Sequence, residues 1–163
     1  VQLEQALLYD FDLAGRRLRL WKRRGESYEH VLMKALGFAM YAAEFPRLEV
    51  EPDVGLRYTP DLLARREGEE FSGRRFLFWG ECGMTSHRKI NWLLKHADLE
   101  RLVLFKMAQS TAAIARELRA SVEPRYRAGD RLRVVSFTRG VVRHTAERRV
   151  ARVPQSWYTE AVV

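Results

Sequence analysis

Residues 58–95 read YTPDLLARREGEEFSGRRFLFWGECGMTSHRKINWLLK, and their interpretation decides the fold. Two apolar runs, 57–64 and 74–82, flank a polar segment at 65–73. This pattern predicts two neighbouring β-strands joined by a tight hairpin connection. The continuous apolar run FLFW at 76–79 is the composition of a strand buried on both faces, which sets Glu81 at the far end of a central strand. Antiparallel pairing then places residues 58–61 opposite that end, so Asp61 and Glu81 meet at one edge of a sheet. Immediately downstream, residues 86–96 carry Ile90, Leu93 and Leu94 at helical spacing, together with His87, Arg88, Lys89 and Lys95. Two acids and a group of bases are thereby gathered at one end of a sheet, the equipment of a metal-dependent phosphodiesterase.

Outward from this core, residues 6–24 alternate at period two on either side of Ala14-Gly15. That predicts a β-hairpin with Leu7, Tyr9 and Phe11 on one face, answered by Leu18, Leu20 and Trp21. Between 26 and 45, Val31, Leu32, Ala35, Leu36, Phe38, Ala39, Ala42 and Ala43 recur at helical spacing behind Ser27, a residue suited to the N-cap. Pro46 stops that helix, and LEVEP at 48–52 reads as a short strand. Beyond the basic helix, RLVLFKM at 101–107 predicts a buried strand and STAAIARELRAS at 110–121 a short helix capped by Ser110 or Thr111. Strand and helix in alternation imply a parallel βαβ unit. Residues 132–145 predict a strand pair about Gly140, followed by a tail with Trp157 and Tyr158. There is no repeat and no linker. Residues 1–163 therefore read as one α/β domain, a mixed central sheet flanked by helices.

Composition narrows the partners. The 163 residues are 47% hydrophobic, enough for a sizeable core. Twenty-nine Lys and Arg against twenty-one Asp and Glu give a net charge of +8, with Arg favoured over Lys. The planar guanidinium suits bidentate phosphate binding, so a polyanionic partner is expected, and under the phosphodiesterase reading that partner is a nucleic acid, DNA or RNA. Residues 143–152, RHTAERRVAR, form the other basic patch, which reads equally as a solvated edge strand. The single cysteine, Cys82, excludes an internal disulfide, and no apolar run approaches the ~20 residues of a membrane span. With no secretory signal pattern at the start, a reducing, cytoplasmic setting is expected.

Several chemistries are absent. Neither G-x-G-x-x-G nor a Walker pattern occurs. Ser86 and Ser110 lack a His and Asp placed for nucleophilic catalysis. Cys82, His87 and His96 lack zinc-ligand spacing, so Cys82 reads as a small buried hydrophobe. What remains is the pair of carboxylates. An acid where Asp61 passes the core is costly unless paired or bound to a cation. Two such acids make a hard-oxygen site of the kind Mg²⁺ or Mn²⁺ favours, unless each simply pairs with one of the many arginines.

The order of these features resembles a known family. A helix with an acid, Pro60-Asp61 on a strand, Glu81 near the end of the next strand and a basic helix behind it is similar to the PD-(D/E)XK nuclease superfamily. Within it, the opening strand hairpin and the Glu81-Cys82-Gly83 sequence resemble the YaeQ-like branch, over about residues 3–106. The resemblance implies a restriction-endonuclease-like core in which Glu29 is the helical acid. It also implies that Asp61, Glu81 and the Cys82 carbonyl hold Mg²⁺ or Mn²⁺. The lysine expected two positions after Glu81 is replaced by Gly83. In the superfamily that lysine is sometimes supplied by the neighbouring helix, which here offers Lys89, nearer the strand end, or Lys95. Glu29 would then orient the attacking water, Lys89 would neutralise phosphoryl charge, and His87, Arg88 and Lys95 would grip the flanking phosphates. The alternative is a catalytically inactive nuclease fold that binds nucleic acid or a protein partner.

Overall fold

The computed structural model describes residues 7–66 and 75–163. Most of the connection expected at 65–73 lies outside the described residues.

The chain opens with β1 (Leu7–Leu13) and β2 (Arg16–Lys22), paired antiparallel around a two-residue turn. Ala14 and Gly15 both have positive φ, +49° and +79°, the backbone that matches strand twist in a short hairpin. Tyr9 faces Leu20 and Phe11 faces Leu18, as the alternation predicts. Trp21 does not join them. It pairs with Leu8 on the opposite face and is exposed, because adjacent residues of a strand point to opposite sides.

Helix α1 (Tyr28–Tyr41) starts where Ser27 caps it, the hydroxyl accepting from the His30 N–H at 3.1 Å. Residues 31–39 are buried without interruption, since the helix is enclosed between the hairpin and the main sheet. Gly37 permits this closeness: a Cβ there would stand 2.9 Å from Leu62 Cδ1 and 3.0 Å from Phe105 Cζ.

The main sheet follows from β3 (Glu49–Val50), β4 (Leu62–Arg65), β5 (Arg75–Cys82), β6 (Asp98–Leu99), β7 (Leu102–Met107), β8 (Leu132–Phe137) and β10 (Tyr158–Val162). Its order is β10-β8-β7-β5-β4-β3, with β6 beside β5. The central strands β5, β7 and β8 run parallel, while β4 and β10 are antiparallel to their neighbours. Helices α2 (His87–His96) and α3 (Thr111–Ser121) connect the parallel strands, confirming the βαβ reading, and the short α4 (Pro124–Arg127) precedes β8. Two apolar layers sandwich the sheet. One holds α1 with Leu62, Phe78, Val103 and Phe105; the other holds α2 and α3 with Leu63, Trp79, Leu102 and Leu104. Among the described residues no helix is long and apolar enough to cross a membrane.

Two expectations are corrected. The strand predicted over 57–64 begins only at Leu62, because Pro60 has no N–H to give a sheet and Asp61 spends its side chain on the neighbouring strand. The strand pair predicted about Gly140 is a strand, β8, followed by a helical turn, α5 (Val141–His144). Val141 is fully buried in the α1 layer, so tertiary packing overrides the β preference of Val141 and Val142. The place beside β8 is taken instead by β10, while β9 (Arg149–Val150) pairs in parallel with β1 in a small second sheet.

Candidate active site

Parallel strands β5 and β7 end together at one edge of the sheet, and α2 starts just past the end of β5. Asp61 reaches this edge from just before β4. Its backbone N–H donates to the Gly80 carbonyl at 3.0 Å, and its Oδ2 accepts from the Cys82 N–H at 2.8 Å. The carboxylate is thereby pinned to the end of β5, with Oδ1 3.6 Å from His30 Nε2 on α1.

Glu81 lies on the side of β5 that carries Trp79. Its Oε1 accepts from Trp79 Nε1 at 2.9 Å and its Oε2 from Lys89 Nζ at 2.8 Å. The Glu81 side chain is 4% exposed and that of Lys89 22%. Burial pushes the Glu81 carboxyl above its usual range; Lys89 and Trp79 oppose the shift, and the Asp61 charge adds to it. Lys89 is held by its backbone as well, since Ser86 caps α2 by accepting the Lys89 N–H at 3.1 Å. A cation in the first turn of a helix opposes the macrodipole, and here the Glu81 carboxylate offsets that cost.

A second charged group meets Asp61 from the α1 side. His30 Nε2 is 3.2 Å from Glu26, and Lys34 Nζ is 2.8 Å from Glu26 and 2.6 Å from Glu51. Lys34 is 1% exposed. Burial works to discharge it, but the two carboxylates hold its pKa above the ordinary value. Burial likewise works to raise Glu26, and its bonds to Lys34 and the Arg23 N–H bring it below the ordinary value. Opposite α1, Lys106 on β7 is 7% exposed and donates to the Gly83 carbonyl at 2.7 Å. Burial holds its pKa down.

The structure brings Asp61, Glu81, Cys82 and Lys89 together, and sets His87 and Arg88, both exposed, on the adjoining first turn of α2. Two residues expected at the site lie elsewhere. Glu29 is exposed on α1, turned about 100° from His30, while His30 and Lys34 one turn apart face the sheet edge. Lys95 is in the last turn of α2, roughly 9 Å along the helix axis from Lys89, with its ammonium 5.2 Å from the Tyr126 ring. The residues missed from the sequence are Glu26, His30, Lys34, Glu51 and Lys106. The available signal was Lys34 itself, a lysine inside the apolar run 31–39, which a fold buries only with an acid beside it.

Gly83 explains why the strand carries no lysine. Its φ is +79°, and a Cβ there would stand 3.0 Å from His30 Nδ1, so any side chain at this position is both strained and crowded. Among the described residues no three His, Cys, Asp or Glu side chains converge as a metal-binding group. The oxygens expected to hold an ion are the carboxylates of Asp61 and Glu81 and the Cys82 backbone carbonyl; of these, Asp61 Oδ2 and both Glu81 oxygens already accept hydrogen bonds within the protein.

No protein-family model matches the sequence, and no curated protein matches it significantly. Solved structures do. The YaeQ protein from Xanthomonas axonopodis pv. citri superposes with a TM-score of 0.64 at 17% identity, over 97% of this chain and 96% of that one. The fold is YaeQ-like. The YaeQ protein from Pseudomonas syringae gives a TM-score of 0.56 at 16% identity, over 97% of this chain and 94% of that one. The YaeQ likeness therefore runs well past residue 106, where the sequence resemblance stops. The last third supplies β8 and β10 to the same sheet, so the fold is shared where no motif marks it.

Proposed function

We propose that this protein is a metal-dependent phosphodiesterase of the PD-(D/E)XK nuclease type, acting on DNA or RNA at the edge formed by Asp61, Glu81 and Lys89. The observation that carries the reading is the Lys89 ammonium 2.8 Å from the buried Glu81 carboxylate. Helix α2 thus delivers to the acid the cation that Gly83 withholds from the strand. The donor set fits a hard divalent ion. Asp61, Glu81 and the Cys82 carbonyl are all oxygen ligands, and burial with the Asp61 charge nearby leaves Glu81 short of positive charge even with Lys89 in place. Such an ion, Mg²⁺ or Mn²⁺, supplies Lewis-acid polarisation of a phosphoryl oxygen and a more acidic bound water.

The chain's own residues do the rest. Lys89 places positive charge where the phosphoryl oxygens gain negative charge. His87 and Arg88, exposed on the first turn of α2, hold the flanking phosphates, which makes binding salt-sensitive. The test is plasmid nicking. Wild type nicks with Mg²⁺ or Mn²⁺ and stops with chelator; Glu81→Gln, folded by circular dichroism, loses at least a hundredfold in rate. No nicking by wild type with either ion refutes the reading. One observation favours a second reading, a nuclease fold that binds without cleaving: both Glu81 oxygens already have protein partners. Salt-sensitive nucleic-acid binding without nicking is the result that selects it.

A further inference from the structure

The sheet edge that carries Glu81 continues past β7 to the end of β8, where the chain turns into α5. There Arg139, Gly140, Val142, Arg143 and His144 line an open cleft of ≈ 460 Å³, within the roughly 300–1,000 Å³ typical of small-ligand sites. The His144 imidazole stacks on Trp157, with ring centroids 5.3 Å apart and planes 6° from parallel. Trp157 is fixed at this edge because its carbonyl accepts the Thr138 N–H at 2.9 Å. Val142, 39% exposed, adds an apolar wall.

The cleft is basic. Several arginines elsewhere meet acids, Arg65 with Glu49 at 2.8 Å, Arg101 with Glu44 at 3.1 Å and Arg125 with Glu123 at 3.0 Å, while others such as Arg88 and Arg152 meet none among the described residues. Among the described residues Arg139 and Arg143 have no carboxylate within ion-pair reach, and both are exposed. Two uncompensated guanidinium groups beside an exposed aromatic face combine a phosphate grip with a stacking platform, the elements of a single-strand site. A duplex offers no free base face to such a platform.

We infer that this cleft binds one nucleotide of a single-stranded nucleic acid, with Arg139 and Arg143 on its phosphate and the His144–Trp157 pair under its base. The strand then runs along the sheet edge from α5, across β8 and β7, to Glu81. At ~4.8 Å per strand the ends of β8 and β5 are on the order of 10 Å apart. The inference rests on the phosphodiesterase reading of the Glu81 edge and names its substrate as single-stranded.

The test is anisotropy of a short fluorescein-labelled oligo(dT) and a duplex of equal length, in chelator, with full-length wild type, Arg139→Gln/Arg143→Gln and His144→Ala. Wild type binds the single strand more tightly than the duplex. The double arginine variant loses about tenfold and its salt slope is shallower by about 0.7, for the one phosphate the two arginines share. His144→Ala loses about fivefold or more with its salt slope unchanged. Unchanged affinity in either variant, a preference for duplex, or no binding by wild type overturns the inference. Hydrolysis of bis(p-nitrophenyl) phosphate separates the two readings, because that ester is too small to need the cleft. Ester turnover with strand binding indifferent to the arginines removes the cleft and leaves the reaction; no turnover with arginine-dependent binding does the reverse.

Discussion

Lys89→Met leaves Glu81 buried with only the Trp79 N–H for company. Removing one partner of a buried pair costs about 3–5 kcal/mol, and the lower end applies because Lys89 keeps part of its solvent. An independent bound comes from the acid itself, which can always escape by taking a proton. At 1.36 kcal/mol per pH unit above the ordinary value of 4.5, that escape costs about 4 kcal/mol at pH 7.5 and about 0.7 kcal/mol at pH 5. The sign follows from the raised pKa. A buried carboxyl held above its unfolded value favours the fold below 4.5, and that advantage is lost as pH rises through the folded value. Lys89→Met raises the folded value further, so its deficit grows toward alkaline pH. Urea unfolding at pH 7.5 should show a loss of about 3 kcal/mol, a midpoint lower by ~1.5 M for a slope near 2 kcal/mol/M, shrinking to about 1 kcal/mol or less at pH 5. Adding Glu81→Gln should return most of the loss at pH 7.5. A deficit of equal size at both pH values would refute the placement of the pair.

Lys34→Met removes the cation shared by Glu26 and Glu51, and urea unfolding at pH 7 should show a loss of about 3 kcal/mol. The lowered Glu26 contributes stability above 4.5 that disappears as pH falls through its folded value, so this deficit should also narrow on acidification. Cys82 is buried, with its thiol pushed well above the ordinary value by burial and then by Asp61. It should ignore a disulfide reagent at pH 8 in the native protein and react fully in denaturant, and rapid native reaction would contradict its placement.

Local signals were strong wherever one face of an element decided its fate. The Ala14-Gly15 hairpin, the Ser27 and Ser110 caps, the FLFW strand and the parallel βαβ unit all follow from periodicity and capping, because each needs only a few neighbouring residues to be satisfied. The meeting of Asp61 with the end of β5 was legible too, since antiparallel pairing carries position 61 to position 81.

Tertiary structure decided the rest. Which polar side chains of α1 face the sheet depends on the rotation of the helix, with Gly37 packed against Leu62 and Phe105, and that rotation selects His30 and Lys34 over Glu29. The turn at Val141 became helical because the α1 layer needed a buried side chain there, a demand no local propensity expresses. Alternation and capping are local energies and can be read from the chain itself. The choice of partners for Glu81, Lys34 and His144 depends on residues distant in sequence, and only the packed fold brings those together.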